Sequence, residues 1–160
     1  MKKILICYFS ASGATKSVAL KLSKLLNTNL FEIVPETLYS KEDLDWTNEN
    51  SRSSKEMKNE LSRPKTKEKV SNIDDYDTIV LGFPVWWYKE PNIINTFIEE
   101  NNLDGKDVYV FVTSGSTSVD GSLNSLKQKY PSINFVEGKR LSVNDDFKDW
   151  SDIFEKMWWL

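Results

Sequence analysis

ILICYFSASGAT, Ile4–Thr15, is the stretch that decides the fold, because in it an apolar run gives way to a small polar loop. The run Ile4–Phe9 is apolar throughout, as is typical of a strand buried on both faces of a parallel sheet. The residues after the loop carry apolar side chains at helical spacing, at Val18, Ala19, Leu22, Leu25 and Leu26. The stretch therefore predicts a strand, a tight loop and a helix in succession.

The same alternation of strand and helix continues along the chain. Strands are predicted at Leu30–Val34, Asp77–Gly82, Asp107–Thr113 and Ile133–Val136. Helices are predicted within Asp43–Leu61, from Pro91 onward, around Leu123–Tyr130 and around Phe147–Met157, with Asn144 as the N-cap of the last. Such alternation favours right-handed crossovers and a parallel sheet. We therefore expect an α/β fold, a doubly wound five-stranded parallel sheet in the order 2-1-3-4-5 with helices on both faces, in one domain of residues 1–160.

The composition excludes several classes of function. The chain has 160 residues, of which 39% are hydrophobic and 28% charged, as in an ordinary globular domain. A net charge of −3 disfavours nucleic-acid binding, which needs clustered Lys and Arg. The absence of histidine excludes imidazole catalysis and histidine-bound metals, and the single cysteine, Cys7, excludes an internal disulfide.

The apolar runs are too short for a secretory or membrane segment. The N-terminal run of six residues, Ile4–Phe9, falls below the roughly 7–15 residues of a signal-peptide core. No run approaches the roughly 18–20 apolar residues of a membrane span. We therefore expect no membrane insertion and a cytoplasmic location.

Ligands of such sheets bind beyond the carboxyl ends of the strands, so the loops after strands 1, 3 and 4 are the candidate sites. The first loop offers the hydroxyls of Ser10, Ser12 and Thr15, and Gly13 lets its backbone bend tightly. The N-terminus of the following helix adds free N–H groups and a positive dipole end, which favour a phosphate group. The alternative is an ordinary helix capped by serine. The glycine-lysine pattern of nucleoside-triphosphate loops fails at Thr15, and the dinucleotide pattern is absent.

The loop after the third strand, GFPVWWYKEP, Gly82–Pro91, places Trp86, Trp87 and Tyr88 in succession at the edge of the sheet. Large aromatic side chains usually pack in the core, so one interpretation is that they pack on the long polar segment Pro35–Asn72. Three consecutive aromatics at the carboxyl end of a strand favour another interpretation, in which they form a wall on which a flat ring stacks.

The loop after the fourth strand, TSGSTSVDGS, Thr113–Ser122, is rich in small polar residues. Such a loop lets backbone N–H groups approach a ligand closely. By itself the same composition is equally typical of a flexible connection, so this loop gains its meaning from its place at the edge of the sheet.

Together these motifs resemble those of the flavodoxin family, over nearly the whole chain. The family's first loop reads Ser/Thr-x-Ser/Thr-Gly-x-Thr, which this chain matches at Ser10, Ser12, Gly13 and Thr15. The chain is most similar to the short bacterial flavodoxin-like, FMN-binding branch. In that branch the loop after the third strand reads Gly-aromatic-Pro-x-Trp-Trp, as it does here at positions 82–87.

The resemblance implies FMN as the cofactor. The residues that would bind it are Ser10, Ser12, Gly13, Ala14, Thr15, Pro84, Val85, Trp86, Trp87, Tyr88, Thr113, Ser114, Gly115 and Ser116. Four of them depart from the family pattern: Ala14 replaces asparagine, Tyr88 replaces glycine, Ser114 replaces histidine and Ser116 replaces glycine. Because that histidine is missing, only binding roles carry over, and no catalytic residue is assigned.

Tyr88 gives rise to a specific expectation. In flavodoxins a peptide of this loop flips to accept a hydrogen bond from reduced flavin, and glycine permits the flip because it tolerates positive φ. We expect Tyr88 to resist this flip. This protein would then stabilise half-reduced flavin less well than a specialised flavodoxin does.

The leading functional hypothesis is an FMN-binding flavoprotein that acts in electron transfer with a redox partner protein. The alternative is an FMN-dependent NAD(P)H reductase of a quinone or another small molecule, in which the segment Pro35–Asn72 and the tryptophans, together with a homodimer partner, would form a second site. A flavin-free binding module is the non-redox alternative. A phosphoacceptor signalling domain is disfavoured, because Ser10 and Gly82-Phe83 stand where it would need acidic residues.

Overall fold

The computed structural model describes residues 3–157 and has a five-stranded sheet at its centre. Its strands are β1 (Ile4–Tyr8), β2 (Asn29–Glu32), β3 (Thr78–Pro84), β4 (Asp107–Thr113) and β5 (Asn134–Arg140). They lie in the order β2-β1-β3-β4-β5, and every neighbouring pair is parallel. The predicted fold class and strand order are thereby confirmed.

Five α-helices connect and cover these strands. They are α1 (Ala14–Leu26), α2 (Arg52–Lys58), α3 (Asn92–Glu100), α4 (Asp120–Lys129) and α5 (Lys148–Met157). A short 3₁₀ helix, Ile73–Asp75, leads into β3. One face of the sheet packs against α3 and α4, and the other packs against α1 and α5.

The all-apolar composition of β1 follows from this two-sided cover. Successive side chains of a strand point to opposite faces, so each face receives every second residue. Leu5 and Cys7 belong to the core on the α3 and α4 side, whereas Ile4, Ile6 and Tyr8 belong to the core on the α1 and α5 side. A polar residue at any of these positions would lose its water without gaining a partner.

Strands β2 and β5 differ from the predicted bounds. Strand β2 ends at Glu32, before the predicted end at Val34, although the Ile33 amide still donates to the Tyr8 carbonyl at 2.7 Å. Strand β5 extends to Arg140, beyond the predicted end at Val136. It lies at the edge of the sheet and is only partly covered, so the polar residues at positions 137–140 fit a strand there.

The predicted start of the last helix is wrong. Helix α5 begins at Lys148, and its backbone amide donates to the Asp146 side chain at 3.0 Å, so Asn144 is not the cap. Phe147, between Asp146 and Lys148, has φ 55 and is buried. Leu25 also departs from the expectation, because it is 48% exposed at the edge of the apolar stripe of α1.

The long polar segment between β2 and the 3₁₀ helix is ordered. It contains α2, as predicted, and its ends are paired through a bridge between Pro35 and Thr66. The Arg52 guanidinium lies 3.8 Å from the centroid of the Tyr39 ring and donates to the Thr37 carbonyl at 2.8 Å. These contacts fasten α2 to the start of the segment.

Gly82 generates the first prediction. The Phe111 ring of β4 occupies the space where a Cβ on Gly82 would lie, whereas a Cβ on Gly115 would meet nothing within 4 Å. Gly82→Ala should therefore lower the free energy of unfolding by about 1–3 kcal/mol through overpacking. Gly115→Ala should change it by less than about 0.5 kcal/mol. Urea denaturation measures both, and equal effects would contradict the packing described.

Candidate functional site

A cleft of about 490 Å³ lies at the carboxyl ends of the strands, and we call it the strand-end cleft. Eight of the predicted site residues line it: Ser12, Ala14, Pro84, Val85, Trp86, Thr113, Ser114 and Gly115. The remaining lining comes from the first turns of α1 and from the chain after β5: Ser17, Val18, Leu141, Ser142 and Val143. The structure thus brings the three predicted loops together around one concavity.

The N-terminus of α1 points free backbone amides toward this region. Gly13 has φ 100, which lets the chain turn sharply into the helix at Ala14. The Ser10 hydroxyl accepts the amides of Gly13, at 3.2 Å, and Lys16, at 3.1 Å. Within residues 3–157 the amides of Ala14 and Thr15 have no acceptor, so they are available to an anion.

Ser10 therefore caps the helix, as the alternative interpretation predicted, and the helix start can still bind an anion. Its hydroxyl satisfies two of the four amides that a helix start leaves open, which stabilises the loop in its bent form. A phosphate would meet the two amides that remain and the positive end of the helix dipole. Ser12 is the exposed hydroxyl of the loop that also lines the cleft.

Thr15 and Thr113 bond to each other. Their hydroxyl oxygens are 2.7 Å apart, and both residues are buried. This hydrogen bond ties the first loop to the carboxyl end of β4 across the sheet. The two threonines therefore fix the distance between two walls of the cleft, a positioning role that the sequence did not reveal.

The aromatic loop after β3 contains a strained tight turn. Trp86 and Lys89 exchange two backbone hydrogen bonds, at 3.0 and 3.2 Å. Between them Trp87 has φ 47 and Tyr88 has φ 67, the left-handed pair of a type I′ turn that normally selects Asn-Gly. Tyr88 thus already has a positive φ, which its side chain disfavours, and the expectation that it resists the peptide flip stays a prediction. Such strain concentrates at functional sites.

One face of α4 holds this turn in place. The Tyr88 carbonyl occupies the space where a Cβ on Gly121 would lie. One and two turns further along, Ser125 and Lys129 donate to Oε1 of Glu90, at 2.8 and 3.0 Å. Glu90 is fully buried, and its Oε2 has no partner within the part of the chain that the structure describes. This carboxylate is the polar anchor of the aromatic loop.

Trp86 packs in a cluster of three rings. Its centroid lies 5.7 Å from that of Phe9 and 5.4 Å from that of Tyr39, with edge-to-face geometry in both pairs. Tyr39 donates to Glu56, and burial together with that hydrogen bond raises the pKa of its phenol. Trp86 thus both packs on the segment 35–72 and lines the strand-end cleft.

A second cleft, of about 410 Å³, shares Val85 and Trp86 with the strand-end cleft, and we call it the aromatic cleft. Its lining is Leu44, Trp46, Ser53, Val85, Trp86, Trp87, Tyr88 and Thr117. The predicted residues Trp87 and Tyr88 therefore belong to this cleft and not to the strand-end cleft. Ser10, Gly13, Thr15 and Ser116 line neither cleft.

Arg140 is a site residue that the sequence interpretation missed. Its Nη1 donates to the carbonyls of Ser114 and Gly115, at 3.4 and 3.5 Å, and so supports the loop after β4. The omission follows from the predicted end of the fifth strand at Val136, which left Arg140 outside the sheet. The adjacent basic pair Lys139-Arg140 was the available signal.

Residues 3–157 lack two other features that would indicate a function. No group of three or more Asp, Glu or Cys side chains lies close enough to hold a metal ion there. No helix in this range combines the length and apolar character needed to cross a bilayer.

Comparison with known proteins gives a consistent result. A family model described as flavodoxin matches residues 3–156. The structure is similar to one designated a flavoprotein from Bacteroides eggerthii, with 43% identity, a TM-score of 0.92 and coverage of 97% of this chain and 99% of that chain. A second, from Bacteroides uniformis, has 39% identity and a TM-score of 0.89, and the match covers 96% of this chain and 98% of that chain.

A more distant likeness is informative for the fold alone. A flavoprotein in complex with FMN from Lactobacillus acidophilus has 24% identity and a TM-score of 0.76, over 95% of this chain and 99% of that chain. A search of curated proteins finds no match.

The ion pair beneath the aromatic loop can be tested directly. Lys129→Met leaves the buried Glu90 carboxylate without its cation, so the free energy of unfolding should fall by about 3 kcal/mol. Lys127→Met, at an exposed position of the same helix, is the matched control and should change it by less than about 0.5 kcal/mol. Urea unfolding gives both values, and a Lys129→Met variant as stable as the control would show that Glu90 does not depend on Lys129.

Proposed function

The chain belongs to the flavodoxin family, and we propose that it binds FMN and transfers electrons with a redox partner protein. The observation that carries the proposal is the convergence of two features in the strand-end cleft. Open amides at the start of α1 suit a phosphate, and loops from three strands surround a space beside an indole ring. The complex of FMN with the Lactobacillus acidophilus flavoprotein, which shares the fold, supports the choice of cofactor.

The phosphate of FMN would lie at the start of α1. The amides of Ala14 and Thr15 are the donors, with the Ser12 hydroxyl beside them. None of these groups carries a formal charge, so the helix dipole and the amides would neutralise a phosphate in part and leave it ionised. The Ser10 cap keeps the remaining two amides occupied and the loop rigid.

The flavin ring would lie between the loops after β3 and β4. Pro84, Val85 and Trp86 form one side, and Thr113, Ser114 and Gly115 form the other. The Ser114 hydroxyl donates to the Thr117 carbonyl at 2.6 Å, so this loop meets the ligand mainly with its backbone. When bound, the cofactor supplies one-electron and two-electron redox chemistry, and the protein sets its orientation and its access to solvent.

The sequence contains no separate nicotinamide-binding motif, although a reductase that binds both substrates in turn over the flavin needs none. One observation nevertheless favours an NAD(P)H-dependent reductase as the second candidate. The aromatic cleft adjoins the proposed cofactor site and offers room for a further ligand. A homodimer and a cytoplasmic location stay predictions.

The two candidates can be separated with the purified holoprotein under anaerobic conditions. An electron carrier should keep its yellow colour when NADH or NADPH is added and should bleach with dithionite or with a partner reductase. Rapid bleaching by a nicotinamide would instead identify the reductase. A protein that binds no FMN, and whose melting temperature does not rise when FMN is added, would be the flavin-free binding module.

The phosphate site generates a prediction with an internal control. Ala14→Asp places a carboxylate at the first position of α1, where an acidic residue favours the helix but repels a phosphate. We expect FMN affinity to fall at least about tenfold, equivalent to about 1.4 kcal/mol. Affinity for riboflavin, which has no phosphate, should not change.

Ala14→Asn is the matched variant, because it has the same shape as Ala14→Asp without the charge. It should bind FMN at least as well as the unmodified chain does. Titration by quenching of flavin fluorescence measures all of these affinities. An Ala14→Asp variant that binds FMN as tightly as the Ala14→Asn variant would place the phosphate elsewhere.

A further inference from the structure

A short turn follows β5 and lines the strand-end cleft, although no sequence motif pointed to it. We call residues 141–145 the post-β5 turn. Three of its residues, Leu141, Ser142 and Val143, line the cleft together with the loops after β1, β3 and β4. The cleft thus has a fourth wall, and the residues of this wall are outside the set that the resemblance to flavodoxins implies.

The post-β5 turn is joined to the sheet and closed on itself. The Leu141 amide donates to the Val112 carbonyl at 2.9 Å, so the turn leaves the sheet beside Thr113, at the carboxyl end of β4. The Ser142 amide donates to the Asp145 carboxylate at 2.7 Å, and the Asp145 amide donates back to the Ser142 carbonyl at 3.1 Å. These two bonds shape the turn but do not fix its distance from α1.

One lysine of α1 fixes that distance. The Lys21 ammonium donates to the carbonyls of Val143 and Asp145, at 2.8 and 2.7 Å. It also lies 5.1 Å from the centroid of the Phe147 ring, within the range of a cation–π contact. Hydrogen bonds from an ionised donor are roughly twice as strong as those between neutral groups. Lys21 therefore clamps the post-β5 turn against α1.

The same face of α1 carries the cleft lining and the clamp. Ala14, Ser17 and Val18 line the cleft from the first turns of the helix. Lys21 follows these residues by seven, four and three positions, and such spacings place side chains on one face of a helix. The helix whose start offers open amides to a phosphate therefore also sets the position of the fourth wall.

The two flanks of the turn are fixed without the lysine. Leu141 is buried on the α1 and α5 side of the sheet, and so is Phe147, although its φ of 55 is unfavourable for a bulky side chain. The residues between them, 142–146, are exposed. The hydrogen bonds that tie this exposed middle to α1 come from Lys21, so the lysine decides how firmly the wall stands.

The lining that the turn presents is uncharged. Val143 is 49% exposed and contributes an apolar side chain, and Ser142 contributes a hydroxyl. The charged groups of this region are engaged elsewhere, since Lys21 binds backbone carbonyls and the Asp145 carboxylate accepts the Ser142 amide. This wall therefore suits the uncharged part of a ligand whose phosphate lies at the start of α1, and burial of Val143 would stabilise the complex.

We propose that Lys21 is a positioning residue of the cofactor site, which holds the post-β5 turn as a fourth wall against the uncharged part of FMN. The identity of the ligand rests on the proposed function. A turn released from the clamp would have to be ordered when FMN binds, at a cost in conformational entropy. A turn that is already fixed binds the same ligand more tightly and releases it more slowly.

Hydrogen–deuterium exchange of the full chain, with and without FMN, tests whether the turn belongs to the site. FMN should slow exchange in residues 141–147 at least threefold, because the ligand covers the turn and restrains it. It should also slow exchange in residues 10–16, which carry the proposed phosphate site. Protection of residues 10–16 with unchanged exchange in residues 141–147 would exclude the post-β5 turn from the cofactor site.

Lys21→Met tests the clamp, because methionine keeps an unbranched stem and removes the ammonium. Affinities for FMN and for riboflavin should both fall at least threefold and by the same factor, since the wall contacts the part that the two ligands share. Exchange in residues 141–147 of the FMN-free chain should become faster. Lys21→Arg, which keeps a cation that donates to carbonyls, should restore most of the affinity. Quenching of flavin fluorescence measures the affinities.

Lys24→Met is the matched control. Lys24 is exposed in the last turn of α1, and among residues 3–157 the post-β5 turn takes its lysine hydrogen bonds from Lys21. The control loses the same charge from the same helix. It should leave both flavin affinities and the exchange of residues 141–147 unchanged.

Two results with these variants would overturn the proposal. One is equal flavin affinity in Lys21→Met and Lys24→Met, even where Lys21→Met is less stable in urea, because the lysine would then serve the fold alone. The other is a loss confined to FMN with riboflavin unaffected, because the lysine would then act on the phosphate through its charge. Failure of the proposed function gives a different result, a chain that binds neither FMN nor riboflavin in any variant.

Discussion

Parallel pairing of β1 with β3 and of β3 with β4 is the constraint on which both clefts depend. The register sets Tyr8 beside Gly82 and Gly82 beside Phe111, so these three strands end at the same edge of the sheet. Loops that are about 70 and 100 residues apart in the sequence meet there as a result. The Phe111 ring fits over Gly82, and the Thr15–Thr113 hydrogen bond closes the edge across the first and third of these strands. Without this register the loops would be three unrelated polar turns.

The aromatic loop combines two features that are unfavourable on their own, a strained turn and a buried charge. A turn with Trp87 and Tyr88 at positive φ is unfavourable on its own, by an amount on the order of 1–3 kcal/mol for each such residue. The Glu90 carboxylate would be still less favourable in the core without Lys129 and Ser125. Each feature persists because the other elements over-determine its position. What results is a turn whose fixed backbone presents the Trp87 and Tyr88 side chains at the surface.

The sequence predicted most of the fold and the outline of the site, for reasons that are local. Apolar runs such as Ile4–Phe9 report burial on both faces of a strand, and the hydroxyl-glycine loop that follows reports the start of a helix. The omissions arose where tertiary contacts decide. Arg140 lies on an edge strand whose polar residues resemble a loop, and the left-handed backbone of Tyr88 depends on α4. The division of the aromatic residues between two clefts depends on where the segment 35–72 packs, which no local pattern specifies.

Trp86 is an aromatic side chain that lines both clefts. Its ring packs edge-to-face on Phe9 and Tyr39, and Tyr39 is in turn held by Arg52 and Glu56. The same α2 helix that supplies Arg52 also supplies Ser53 to the aromatic cleft. These contacts hold one wall of the strand-end cleft in place before FMN binds, and such preorganisation lowers the conformational entropy that binding costs.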